Sequence, residues 1–180
     1  YFKLLPGQGR YINPRFKEKG EEWRDGEEGG KEYEGYVTDL ITDFSLDWID
    51  RQVENSEPFF LMCHHKAPHR PWVPDEEHED LYSEEEIPQP ENFNDNYENR
   101  ASAAAEAKMR IVEDLTERDL KQKPPPDLSG EELDNWKYQR YIKDYLRCVA
   151  SIDDNVGRIL NYLEDRGLDK DTIVIYTSDQ

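Results

Sequence analysis

The sequence predicts an α/β domain built on a mostly parallel sheet. Phe59–Cys63 and Ile173–Tyr176 are short apolar runs without polar alternation, the pattern of strands buried on both faces. The segments between them carry helical periodicity and are long enough for the crossovers that parallel strands need. Each run also empties into polar residues, HHKAPHR after the first and TSDQ after the second. Those endings would share one sheet edge, where open α/β sheets bind their ligands.

A length of 180 residues suffices for one domain with a real core. The 42 acidic against 23 basic residues give a net charge of -19, which argues against nucleic acid or an anionic membrane surface as the main partner. No run approaches the roughly 20 apolar residues of a membrane helix, so no membrane insertion is expected. On so acidic a chain the basic cluster at 64–70 suggests an anionic ligand. Cys63 and Cys148 lack metal-type spacing, and their count leaves the redox compartment open. No signal peptide is visible. The abrupt start at Tyr1 and the stop just after a strand are expected of a piece of a longer protein.

In chain order, residues 1–35 read as irregular, with turn chemistry at Leu5–Gly9 and Asn13-Pro14 and a charged, Gly-rich loop over 17–35. A helix is expected from about Thr38, its N-cap, to about Gln52. Val37, Leu40, Ile41, Phe44 and Trp48 would form its buried stripe. Pro58 opens the first strand. Residues 75–130 form an acidic excursion, extended at first, helical over the alanine-rich stretch from Ala101 to about Leu115, and broken at Pro124–Pro126. Ser129 with Glu132 is a capping-box pattern. It opens a long amphipathic helix along Tyr138, Tyr141, Ile142, Tyr145, Val149, Ile152, Val156, Ile159 and Leu163, closed by Gly167 at C′. The second strand follows.

His64, His65, Lys66, His69 and Arg70 crowd a loop that Pro68, Pro71 and Pro74 keep from being helical. Three imidazoles raise the question of zinc, but adjacent His64 and His65 would point to opposite faces of a continuing strand, so at most two converge. A histidine merely hydrogen-bonded in a structural loop is the competing reading, stronger for His64 and His65 than for His69. Asp179 and Gln180 offer a carboxylate and an amide oxygen, a pair that suits Ca²⁺ or Mg²⁺ better than zinc; an N-cap for the next element is the alternative for Asp179. Asp153 and Asp154 sit inside the long helix, where neighbours diverge by about 100°, and read as solvated. No serine, cysteine or threonine has an obvious base partner. The residues themselves thus indicate an anion-binding, metal-compatible α/β site without a visible nucleophile.

Taken together, HHKAPHRPW, the helix YQRYIKDYLRCVASIDDNVGRILNYLEDRGL, the strand TIVIYTSDQ and the opening LLPGQGRYINPRF resemble the type I, formylglycine-dependent sulfatases of the alkaline phosphatase-like superfamily. The A-P-H-x-P-W pattern of Ala67 to Trp72 is most similar to N-acetylglucosamine-6-sulfatases and mucin-desulfating sulfatases. The resemblance implies a three-layer sandwich with a mostly parallel sheet, of which 1–180 would be a middle segment of the catalytic domain. It makes His69 the catalytic histidine at the sulfate and its leaving oxygen, and Asp179 and Gln180 ligands of Ca²⁺. His65, Lys66, Arg70 and Trp72 would stand at the substrate mouth, Trp72 offering a sugar an apolar face. The substrate would be a sulfated carbohydrate, the location periplasmic, secreted or lysosomal. The family's C/S-x-P-x-R motif, whose first residue becomes formylglycine, is not in this sequence and is expected before Tyr1. The rest of the catalytic domain and a C-terminal subdomain are expected after Gln180. A phosphatase or phosphodiesterase of the same superfamily, or a non-catalytic glycan- or cation-binding module on the same scaffold, are the alternatives.

Overall fold

The computed structural model describes residues 1–20, 29–55 and 58–179. The chain folds as two compact units: Tyr1–Lys66 together with the stretch from Ser151 onward, and Ala67–Ala150.

In the first unit, residues expected to be irregular form a small antiparallel sheet of β1 (Lys3–Leu4), β2 (Arg15–Glu18) and β3 (Lys31–Glu32), in that order. Lys3 pairs with Glu18 and Arg15 with Glu32. Positions 21–28 of the expected charged loop lie outside the described residues. The turn into β3 needs glycine at Gly30, whose φ is +78° and where a Cβ would meet the Phe16 carbonyl oxygen at 2.6 Å. The sheet is pinned by aromatic edges. Phe16, only 1% exposed, meets Phe44 at 5.1 Å, and Tyr33 meets Phe44 at 5.0 Å.

Helix α1 spans Val37–Asn55, so Thr38 lies in its first turn and is not the N-cap. Its most buried residues are Val37, Thr38, Thr42, Ser45 and Ile49. Of the expected stripe Val37 is buried, while Leu40, Ile41, Phe44 and Trp48 are only half-buried. The buried face of the helix is rotated from that stripe toward Thr38, Thr42 and Ser45. The large rings flank the contact, Phe44 toward the sheet and Trp48 toward Phe59 at 5.8 Å. Small side chains take its centre.

The two runs expected as buried parallel strands are extended but unpaired: among the described residues neither has a ladder partner. Along the first, burial alternates. Phe60 is 82% and Met62 63% exposed, while Phe59, Leu61 and Cys63 are half-covered. Ile173 and Ile175 are 89% and 80% exposed. A β-branched or aromatic run is sheet-forming only where neighbours supply the ladder and the covering face, and here one or both faces are bare.

The final long helix, α5 (Gly130–Asp165), opens directly after Ser129. Its end is a Schellman motif: the Leu168 N–H donates to the Leu163 carbonyl at 2.8 Å and the Gly167 N–H to Glu164 at 2.9 Å, with Gly167 at φ +65°. From Ser151 onward α5 belongs to the first unit. There Asn155, 2% exposed, donates to Asp39 at 2.7 Å, and Arg166 pairs with Asp50 at 2.7 Å. Tyr162 donates to the same Asp50; burial, and then that carboxylate, push its hydroxyl up to about 12. Asp153 and Asp154 are exposed, as expected.

In the second unit the excursion after Pro74 wraps the first half of α5. Lacking a ladder, its backbone is satisfied by helix side chains. Gln139 both donates to the Ile87 carbonyl (2.7 Å) and accepts from its N–H (3.0 Å), and Tyr138 donates to the Pro88 carbonyl (2.8 Å). The single helix expected over 101–115 is instead two short ones, α2 (Ser102–Glu106) and α3 (Ile111–Asp114), followed by α4 (Glu117–Leu120). Residues 101–109 are exposed apart from a half-covered Ala104. Without a buried face, alanine propensity sustains only a turn or so.

Candidate active site

The two units meet in sequence between Lys66 and Ala67, so the candidate residues divide. His65, Lys66 and Asp179 belong to the first unit; His69, Arg70 and Trp72 to the second.

In the first unit the extended run carries His64 outward and turns His65 inward, the alternation that adjacent residues of an extended chain require. His64 is exposed, so the structural role read for it is not supported by burial. Burial, and secondarily His64, push the His65 imidazole down to about 4. At neutral pH this ring is uncharged and adds no positive charge to the cluster. The His65 Nε2 lies 3.7 Å from Cys63 Sγ, and its buried Nδ1 has no hydrogen-bond partner. Burial pushes the Cys63 thiol up, with a hydrogen bond from Ser45 opposing. Lys66 sets its ammonium over the Tyr11 ring at 5.0 Å.

In the second unit His69 is exposed, and its Nδ1 lies 2.6 Å from the Arg70 carbonyl oxygen. A carbonyl can only accept, so Nδ1 carries the hydrogen and Nε2 is the nitrogen that gains or gives a proton. Arg70 does not stand open as a substrate residue. Its guanidinium grips Asp119 through both Nε and Nη2, and Nη1 reaches Met109 Sδ at 2.9 Å. Asp119 is 3% exposed and also accepts from the Thr116 N–H and hydroxyl, each at 2.7 Å. Those donors outweigh the opposing effect of burial and hold its carboxyl well below the usual carboxylate range. The clamp therefore fixes the residue whose carbonyl orients His69. Trp72 is likewise not an open sugar platform. It is 6% exposed at φ +54° and packs edge-to-face on Tyr141 at 4.7 Å, anchoring the loop to α5. Both residues are held by partners that the local sequence does not announce, Arg70 by Asp119 in the excursion and Trp72 by Tyr141 on α5. The Asp119 clamp itself was findable, because Thr116-x-x-Asp119 is a capping-box pattern, and α4 uses it as one.

Asp179 is exposed, and Gln180 lies outside the described residues. Ca²⁺ takes six to eight oxygens. Their donor atoms have the right hardness, but among the described residues no group of three or more His, Cys, Asp or Glu side chains is poised for a metal. The fit is chemical and partial.

The sulfatase family model matches residues 6–180. The chain belongs to the sulfatase family. This sulfatase chain is 35% identical to the N-acetylglucosamine-6-O-sulfatase of Bacteroides thetaiotaomicron across 100% of its own length and 38% of that protein's. To the human N-acetylglucosamine-6-sulfatase it is 28% identical over 99% of its length, against 28% of the human chain. A solved structure in complex with its substrate D-glucosamine-2-N,6-O-disulfate superposes with a TM-score of 0.81 at 33% identity, covering 93% of this sulfatase chain and 41% of the other. The alkaline phosphatase-like α/β fold follows from that match. The chain spans little more than a third of the length of its bacterial relative. No helix among the described residues is long and apolar enough to cross a membrane.

Proposed function

We propose that this chain is part of the catalytic domain of a sulfuric ester hydrolase that removes sulfate from a sulfated glycan, with 6-O-sulfated N-acetylglucosamine as the unit it acts on. The observation that carries this reading is the 35% identity to an N-acetylglucosamine-6-O-sulfatase over the whole chain. The A-P-H-x-P-W loop lies within the matched stretch. In this reading His69, protonated at Nε2 while Nδ1 donates to the Arg70 carbonyl, gives a proton to the departing sugar oxygen. Lys66 and the neutral His65 line the sulfate's approach. Arg70 and Trp72 hold the loop, through Asp119 and Tyr141, so that the imidazole stays aimed; such positioning is a large part of the catalysis of group transfer.

Asp179 and Gln180 would hold Ca²⁺ together with oxygens from beyond this chain's described residues. Bound there, the cation would supply fixed positive charge, and a formylglycine from a C/S-x-P-x-R motif outside these 180 residues the nucleophile. By the same reading the protein works in a periplasmic, secreted or lysosomal setting.

Sulfate release by the complete enzyme from 6-O-sulfated N-acetylglucosamine and 6-O-sulfated galactose tests the sugar. Faster turnover of the N-acetylglucosamine ester is expected. Equal rates would remove the basis for naming it.

A further inference from the structure

Trp136, Arg140, Lys143 and Arg147 recur at steps of four, three and four along α5, which places them on one stripe of the helix. With Ser83 and Gln139 they line a cavity of about 270 Å³, all within the second unit. None of the lining residues is acidic. Arg147, 6% exposed, is built into the wall: Nε donates to the Leu81 carbonyl at 2.8 Å, Nη2 to Ser83 Oγ at 3.1 Å and Nη1 to Asp144 at 2.9 Å. Arg140 and Lys143 are half-exposed. Arg140 reaches Asp144 at 3.2 Å and Lys143 only a backbone carbonyl, that of Ser83, at 3.3 Å. Asp144 must also serve Lys121 at 2.7 Å. Positive charge is therefore in excess at this cavity, on a chain whose net charge is -19.

We propose that this cavity binds the acidic group, sulfate or carboxylate, of a further sugar unit of the glycan. Arg140 and Lys143 make the contacts, Arg147 is fixed positive wall, and the Trp136 indole offers the ring an apolar face. The volume is near the low end for small-ligand pockets, room for one acidic sugar and not for a run of polymer. The acidity of the rest of the chain disfavours an extended polyanion such as nucleic acid. The identity of the ligand rests on the sulfatase reading; the cavity and its charge do not.

The test uses the complete enzyme with two probes, a heparin-derived tetrasaccharide and N-acetylglucosamine 6-sulfate, and compares their Kd by calorimetry. Replacing Arg140→Gln and Lys143→Gln together is expected to weaken tetrasaccharide binding by roughly tenfold or more relative to the monosaccharide, the loss of the two charge-assisted contacts. Lys143→Gln alone, whose ammonium holds only the Ser83 carbonyl, should show part of that loss with an unchanged thermal midpoint. It keeps the test clear of folding effects through Asp144. An unchanged ratio of the two Kd values in Lys143→Gln, or a wild type that does not prefer the tetrasaccharide, overturns the inference. Preferential binding that depends on these cations without sulfate release upholds it and overturns the sulfatase reading. Sulfate release with an unchanged ratio does the reverse.

Discussion

Replacing His69 by alanine in the complete enzyme is expected to lower kcat by roughly 10²–10⁴-fold, the range for loss of a general acid. Its ring is exposed and donates from Nδ1 to the Arg70 carbonyl 2.6 Å away, so removing it opens no cavity in a core. The thermal midpoint should hardly move. His64→Ala is the internal control: that ring is also exposed, lies five residues upstream and has no assigned contact with the reacting atoms, so its kcat should fall far less. If His69→Ala keeps near-normal kcat and unfolds earlier, the histidine is a loop fastener and the site assignment is wrong.

The largest effect on stability is expected at Asp144. This carboxylate is 2% exposed and takes Lys121 at 2.7 Å, Arg147 at 2.9 Å and Arg140 at 3.2 Å. Removing the anion they share leaves the buried Arg147 guanidinium beside two further cations without that neutralising charge. Breaking a buried pair from one side costs about 3–5 kcal/mol. Asp144→Ala should therefore lower the denaturant midpoint of the complete enzyme by a corresponding amount, and Asp144→Asn, which keeps the shape and one acceptor, by less. Equal, small losses in both variants would mean that the cations find other partners and that Asp144 is not the hub of the excursion's packing on α5.

Much of this was legible in the sequence. The helical period of α5, its start after Ser129 and its Gly167 stop are local properties, set by side-chain spacing and by the one residue type that takes a left-handed φ at no cost. The family signature was legible for the same reason, because its motifs are short and contiguous. What escaped depends on long-range pairing. Phe60, Met62, Ile173 and Ile175 have the composition of a buried strand, but burial on two faces is conferred by neighbours, and the described residues supply none. Arg70 and Trp72 looked like ligands because nothing nearby in sequence claims them. Asp119, 49 positions beyond Arg70, and Tyr141 do. The rotation of the α1 stripe is subtler. Periodicity marks a face and not its centre, and the centre went to Thr38, Thr42 and Ser45 once Phe44 and Trp48 found aromatic partners at the flanks.

Sulfate-ester hydrolysis is the activity we propose for this site. It is tested most directly by the complete enzyme, with its formylglycine in place, acting on a matched pair of aryl esters, one sulfated and one phosphorylated. A kcat/KM that favours the sulfate ester is expected, with a preference that His69→Ala erodes. A preference for the phosphate ester would contradict it and place the protein in the phosphatase branch of the same superfamily, while turnover of neither would leave a glycan- or cation-binding module on a sulfatase scaffold.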